Sequence, residues 1–379
     1  MDVAALRAQF PVLERVAYLN AGSVGPLAQA AADAAAADLR LQLDRGRGGK
    51  AHFEHAQALA DRLRARVARL LGCDPWEVAL TGATTDGVNA VLSGLDLEPG
   101  DEIVTSDEEH PGLLAPLARA REHRGVEIRI VPFDAIADSV GTRTRLIACS
   151  HVSWVSGRIV DVEALAAASA PVLLDGAQGL GAVPVGVREL GCEYYAASGQ
   201  KWLCGPVGSG YLYVRENAID GVRPAWPGYG TLADTARPLE SAPAAGAARF
   251  DTGFAPSHRS AWSLAALDVL ETAGIAPLQE RAVGLAERLA TTLGDAGLVV
   301  AGRDASGGAT PTADRRPSCS PLVSWEAVDP PAEAARLLDA GLLVRDLPGT
   351  PYVRASVGGW TTEEELERLV AAVTSTSSR

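Results

Sequence analysis

Lys201 stands in Ser198-Gly199-Gln200-Lys201-Trp202, among small and polar residues, just ahead of the compact stretch Cys204-Gly205-Pro206. Upstream, Leu173-Leu174-Asp175-Gly176-Ala177-Gln178 is an apolar run that ends in one carboxylate. Most lysines are solvated surface charges, but one held in a cleft acquires a lowered pKa and acts as nucleophile and base. An aspartate that ends an apolar strand is partly buried and needs a partner. That partner is either the turn at Gly176 or a cationic ring nitrogen. An amine for a Schiff base and an acid for a pyridinium nitrogen are the pair that pyridoxal phosphate requires. Gln178 is in reach of a phenolate oxygen on the same ligand.

Two more segments carry candidate chemistry. In Thr81-Gly82-Ala83-Thr84-Thr85-Asp86-Gly87-Val88-Asn89 a strand ends, small residues turn, and a helix begins with Thr at its start. Free backbone N–H groups and the helix dipole make such a place an anion site. The alternative is a threonine that only caps the helix. Glu108-Glu109-His110-Pro111 follows the strand Ile103-Val104-Thr105, at the end of a parallel strand where ligands of open α/β sheets bind. An imidazole there stacks on an aromatic ring or lies in a solvated loop.

Regular elements must hold these segments in place. Between about residues 78 and 215 short apolar strands (78–80, 102–105, 126–132, 146–149, 172–174, 211–214) alternate with helices (from 84, 111–124, 162–168). That rhythm predicts a mostly parallel α/β sheet with right-handed crossovers. The fully apolar 172–174 suits a strand covered on both faces. The alanine-rich run 30–37 reads as helix. Residues 223–248, rich in Pro, Gly and Ala, read as a long loop, followed by helices over 257–273 and 276–296. Helices at 332–340 and 363–373 and strands near 322–325, 342–345 and 352–355 suggest a smaller α+β unit from about 275. The tail 374–379 is polar and expected to fray.

Composition narrows the partners. With 379 residues, 47% hydrophobic and 21% charged, the chain can bury a large core in two domains. A net charge of −13 without a basic cluster argues against nucleic acid. No basic-apolar leader and no long apolar run occur, so neither secretion nor a membrane span is expected. Cysteines at 73, 149, 192, 204 and 319, without a CxxC pair, favour a reducing cytoplasm over disulfides or a metal site. His52 and His55 have no third ligand nearby, and no metal is expected.

The four segments, in this order and each at a strand end, resemble the class V aminotransferase family of pyridoxal-phosphate enzymes. That family includes cysteine desulfurases, cysteine/cystine C–S lyases, isopenicillin N epimerase and kynureninase. The resemblance runs from Tyr18-Leu19-Asn20-Ala21-Gly22 to Val353-Arg354-Ala355-Ser356. It implies a fold type I, aspartate aminotransferase-like α/β architecture. A seven-stranded, mostly parallel large domain would span 18–274, and 1–17 would join 275–379 in a small α+β domain. By the same resemblance Lys201 matches the Schiff-base lysine, Asp175 the pyridinium partner, Gln178 the donor to the ring O3′ and His110 the histidine stacked on the ring. Ala83, Thr84, Ser198 and Gln200 match the phosphate cup, with Gln200 where the family usually has histidine. Arg354 matches the clamp on the substrate α-carboxylate, a role that suits a guanidinium fork. Ala21 and Gly22 lie where the family also meets that carboxylate. A homodimer is implied. In many relatives a partner threonine, in a motif like Arg249-Phe250-Asp251-Thr252-Gly253-Phe254, completes the cup; here Phe254 stands at or near it.

Branch is read from one absence and one presence. Desulfurases of the family carry a nucleophilic cysteine shortly before the position of Arg354, but residues 344–352 contain none. Cys204 and Cys319 are read as structural. Trp154, in His151-Val152-Ser153-Trp154-Val155-Ser156-Gly157, replaces the desulfurases' usual asparagine and is placed at the substrate. With Lys201–Pro206 and 223–229 it resembles the cystine C–S lyase and epimerase branch. The expected reaction is β-elimination from a small cysteine-derived amino acid, giving a thiol or persulfide, pyruvate and ammonia. The alternatives are an epimerase or aminotransferase of the same family, or a non-catalytic scaffold that kept the fold.

Overall fold

The computed structural model describes residues 1–253, 256–303 and 320–375. Phe254, Cys319 and the last four residues of the polar tail lie outside them. The chain opens with α1 (Val3–Arg7), β1 (Ala17–Tyr18) and two long helices, α2 (Gln29–Arg45) and α3 (Lys50–Leu71). The alternating part follows: β2 (Val78–Thr81), α4 (Thr84–Gly94), β3 (Glu102–Ser106), α5 (Pro111–Arg124), β4 (Glu127–Val131), β5 (Thr144–Ser150), α6 (Val162–Ala167), β6 (Val172–Asp175), α7 (Val187–Leu190), β7 (Tyr194–Ser198) and β8 (Gly210–Val214). Next come α8 (Ser257–Ala273), α9 (Ile275–Asp295), β9 (Leu322–Glu326), α10 (Pro330–Asp339), β10 (Leu342–Leu343), β11 (Arg345–Asp346), β12 (Tyr352–Ser356) and α11 (Glu363–Thr374).

Seven strands form one sheet in the order β2-β8-β7-β6-β5-β3-β4. All neighbours are parallel except β8, which runs antiparallel to both β2 and β7. Strands β2, β3, β6, β7 and β8 are buried along their whole length, which is why several read as unbroken apolar runs. Edge strand β4 is mostly exposed, and Ile130 lies at the surface although Ile128, two residues before it, packs on the core. The sequence pattern picks out no strand over 194–198. Burial between β6 and β8 makes it one.

The 342–345 strand expected from the sequence is in fact two. Leu342 and Leu343 pair in parallel with Ala17 and Tyr18, whereas Arg345 and Asp346 pair antiparallel with Arg354 and Val353. The chain changes sheets at the buried Val344, which shares a core cluster with Leu342, Leu19 and Trp325. A second sheet, β11-β12-β9, results. Helix α8 packs on α2 and α3. At that junction the buried Asp38 accepts from Ser257 Oγ (2.7 Å) and Gln42 Nε2 (2.7 Å) and meets His55 Nε2 at 2.6 Å. His55 is therefore committed to a helix junction. Among the described residues no three His, Cys, Asp or Glu side chains are grouped to hold a metal, and no helix is long and apolar enough to cross a membrane.

Candidate active site

Lys201 follows β7 by two residues, and its loop is pinned from outside. Gly25 N donates to Gln200 O at 2.7 Å. A Cβ on Gly25 would lie 2.2 Å from Lys201 O and 2.9 Å from Cys204 Sγ, so only glycine fits this approach. Cys204 adopts a left-handed φ of 55°, closing a turn in which its N–H donates to Lys201 O (3.1 Å) and its carbonyl accepts from Trp262 Nε1 (3.1 Å). Burial brings the Lys201 ammonium down to about 8; the charge of Asp175 opposes this, and Arg354 and Arg345 add to it.

Asp175 ends β6 and is buried. Its Oδ1 accepts from Ala177 N at 2.9 Å, so it does cap the turn at Gly176. Burial raises its pKa, and the charge of Lys201 pulls back. Gln178 is buried with both ends of its amide in use: Nε2 donates to Gly22 O (2.8 Å) and Oε1 accepts from Trp202 Nε1 (3.0 Å).

The start of α4 differs from the capping alternative. Ala83, not Thr84, is the N-cap, and it makes no side-chain cap bond. Thr84 is the first helical residue, and its Oγ1 lies 2.6 Å from Ser198 Oγ at the end of β7. The leading N–H groups of the helix have no intrahelical partner there. Gln200 Oε1 is buried without a partner.

His110 is the N-cap of α5, and its Nδ1 accepts from Gly112 N at 2.9 Å. Its ring meets Trp154 edge-on, with centroids 4.9 Å apart at 86°. Burial, helped by the charges of Lys201, Arg345 and Arg354, depresses its pKa to about 4, so the ring is neutral near pH 7. The Trp154 loop is held by Glu108, which accepts from the hydroxyls of Ser153 and Ser156 and from Arg158 Nη2 (2.5 Å).

Arg354, on β12, is fully buried. Its Nη1 donates to Trp154 O at 2.9 Å, while Nε and Nη2 have no partner. Burial and the nearby Arg345 lower its pKa to about 9. Two residues along the same face, Ser356 Oγ is buried and unpartnered, as is Trp154 Nε1. Gly22 crosses directly over them: a Cβ there would stand 2.7 Å from Ser356 Oγ and 2.9 Å from Arg354 Nη2. Ala21 beside it is buried.

The fold thus gathers the residues singled out from the sequence at the carboxyl ends of β3, β6 and β7, the start of α4, the Trp154 loop and β12. It also adds Arg345, which the sequence reading passed over in a segment inspected only for a cysteine. Arg345 is the cross-strand partner of Arg354, and its Nη1 donates to Ser23 Oγ at 3.1 Å. Like charges directly opposite each other are unfavourable, so this pair calls for an anion. The remaining donor set suits pyridoxal phosphate: a helix start with paired hydroxyls for a phosphate, a buried carboxylate for a ring nitrogen and a lysine for the aldehyde.

A family model described as aminotransferase class-V matches residues 30–369. An isopenicillin N epimerase from Streptomyces clavuligerus is 29% identical over 94% of this chain and 94% of its own. A probable cysteine desulfurase from Methanothermobacter thermautotrophicus is 29% identical over 76% of this chain and 75% of its own. Among solved structures, the cystine C–S lyase C-DES in complex with its product cysteine persulfide superposes with a TM-score of 0.87 at 28% identity, covering 97% of this chain and 99% of that one. A variant of C-DES with glycine covalently linked to the cofactor superposes with a TM-score of 0.88 at 28% identity, over 97% and 98% of the two chains.

Proposed function

The chain belongs to the aminotransferase class-V family, and from that premise we propose that it is a pyridoxal-phosphate lyase that breaks the C–S bond of a cysteine-derived amino acid. The observation that carries the reading is the Arg345–Arg354 pair, with an unpartnered guanidinium edge, beside a 344–352 segment without a cysteine. Two cations suit a substrate with two anionic groups, and sulfur collection on an enzyme thiol has no nucleophile in that segment.

Thr84, Ser198, Gln200 and the leading N–H groups of α4 would hold the phosphate, Asp175 the ring nitrogen, and His110 the ring face. When bound, the cofactor supplies an electron sink for the pair left behind by the Cα proton. Lys201 Nζ is the base: with its pKa lowered to about 8, a sizeable neutral fraction exists near neutral pH. Arg354 Nε and Nη2 bind the α-carboxylate, while Ser356, Trp154 and the Gly22 backbone border it. Lys201 would hold the Cα proton after abstracting it, and sulfur is a good leaving group as a thiolate, so departure needs no further acid. Gln178 Nε2 gives one N–H to Gly22 O and would use its second to reach a ring oxygen.

The division into 18–274 and 1–17 with 275–379, a homodimer and a cytoplasmic setting belong to the same proposal. The core cluster that joins Ala17 to Trp325 and Leu366 supports the division, and the sparse cysteines the setting. The test is the holoprotein incubated with cysteine, cystine and cysteine thioethers while pyruvate, ammonia and sulfide are followed. Pyruvate and ammonia in equal amounts are expected. Lys201→Ala should remove both turnover and the visible band of lysine-linked cofactor. A second reading, an epimerase, is favoured by the 94% coverage of the Streptomyces relative. Racemisation without pyruvate would select it.

A further inference from the structure

The sequence Glu108-Glu109-His110 spends its first residue on the Trp154 loop and its third against Trp154 itself. Glu109 between them is buried, 4% exposed, yet it faces no cation among its hydrogen-bond partners. Its Oε1 accepts from Ser106 Oγ at 2.5 Å, and its Oε2 from Ser150 Oγ at 2.5 Å. Ser150 N reaches both oxygens, at 3.0 and 2.9 Å. Ser106 ends β3 and Ser150 ends β5, so one carboxyl ties the ends of two adjacent strands. Ser150 is in turn the register partner of Asp175 on β6, and His151 N donates to Asp175 O at 2.9 Å. Glu109 therefore stands one strand behind the carboxylate read as the pyridinium partner.

Both side-chain partners of Glu109 are hydroxyls, which rotate to donate to a carboxylate or accept from a carboxyl. The site can thus hold either protonation state with its hydrogen bonds made. The titratable groups facing it are Asp175 on β6 and Cys149 on β5; burial and the charges of Glu109 and Asp175 keep that thiol protonated. Two buried carboxyls at adjoining strand ends, joined through Ser150, resist ionising together.

We propose that Glu109 is a positioning residue that exchanges a proton against Asp175 and so sets how strongly Asp175 holds a positive ring nitrogen. The proposal rests on the reading of Asp175 as the ring partner. Burial first, then the charge of Asp175, raises the Glu109 carboxyl to about 7 against its hydrogen bonds, inside the working pH range.

The test is carbon-13 NMR of the full chain labelled at glutamate carboxyls, with and without pyridoxal phosphate, the Glu109 signal being assigned by its loss in Glu109→Gln. A midpoint near neutrality is expected, moving down by about one unit in Asp175→Asn. In loaded protein, the pH profile of the visible band should lose a neutral transition in Glu109→Gln. If Glu109→Gln does not fold, Glu109→Asp supplies the assignment. A Glu109 midpoint in the ordinary carboxylate range, or one indifferent to Asp175→Asn, overturns the proposal. If the coupling is present but the protein forms no lysine-linked cofactor band, the functional reading fails while the carboxyl pair stands.

Discussion

At the carboxyl edge of the seven-stranded sheet the polar side chains near Lys201 are mostly matched within the protein, whereas Arg354 and Ser356 on β12 and the Trp154 indole are not. Thr84 meets Ser198, Asp175 meets Ala177 N, Gln178 meets Gly22 and Trp202, and Glu109 meets two serines. On the other side Arg354 Nε and Nη2, Ser356 Oγ and Trp154 Nε1 are buried and unpartnered. Each such group costs about 1–3 kcal/mol in desolvation until an acceptor arrives. The first side is organised to keep a ligand in one place. The second has binding energy in reserve for an anion that comes and goes. Gln200 Oε1 and Thr105 Oγ1, unpartnered on the first side, are exceptions.

The largest expected effect tests that division directly. Arg354→Ala should raise the substrate KM by roughly 30-fold or more, the equivalent of about 2–5 kcal/mol, with cofactor retention unchanged. Steady-state kinetics beside the visible band separate the two. Cofactor loss in this variant would break the comparison. Glu109 provides a pH test of the matched side. Its folded pKa of about 7 lies above the unfolded value, so between about pH 4.3 and 7 the folded chain holds a proton that the unfolded chain has lost. Stability from this group therefore falls as pH rises through that window, by about 4 kcal/mol in all, and then levels off. Glu109→Gln should lack this slope in urea titrations at pH 5 and pH 8. Equal slopes in both proteins would mean that the carboxyl is not held protonated. Thr84→Val should have the smallest effect. It leaves Ser198 Oγ without its partner, costing about 1 kcal/mol of apoprotein stability and weakening phosphate retention, with KM little changed.

Much of the matched side was legible in the sequence. Asp175 and His110 follow short apolar strands, and a switch from apolar to small and polar residues is a local signal that needs no knowledge of neighbours; Lys201 stands out by its type among small and polar neighbours, not by the strand before it. The helix from Thr84 was also legible, but its cap was not: whether Thr84 turns inward to the backbone or across to Ser198 depends on where β7 lies. Gln178 read as a free donor because nothing near it in sequence shows Gly22 or Trp202 closing on both ends of its amide. Arg345 was passed over because its neighbour across the sheet is nine residues away and becomes a neighbour only through antiparallel pairing.

Periodicity and turn residues alone determined the alternating α/β architecture and the strand ends before His110 and Asp175, since both are short-range properties of the chain. Tertiary structure alone decided that 342–345 divides between two sheets, that Arg345 faces Arg354, and that Glu109 stands behind Asp175. The first two are matters of register, set by which residues pair across strands distant in sequence, and a single residue of slip would turn those side chains to the opposite face; the third depends on where the loop between β3 and α5 meets the end of β5.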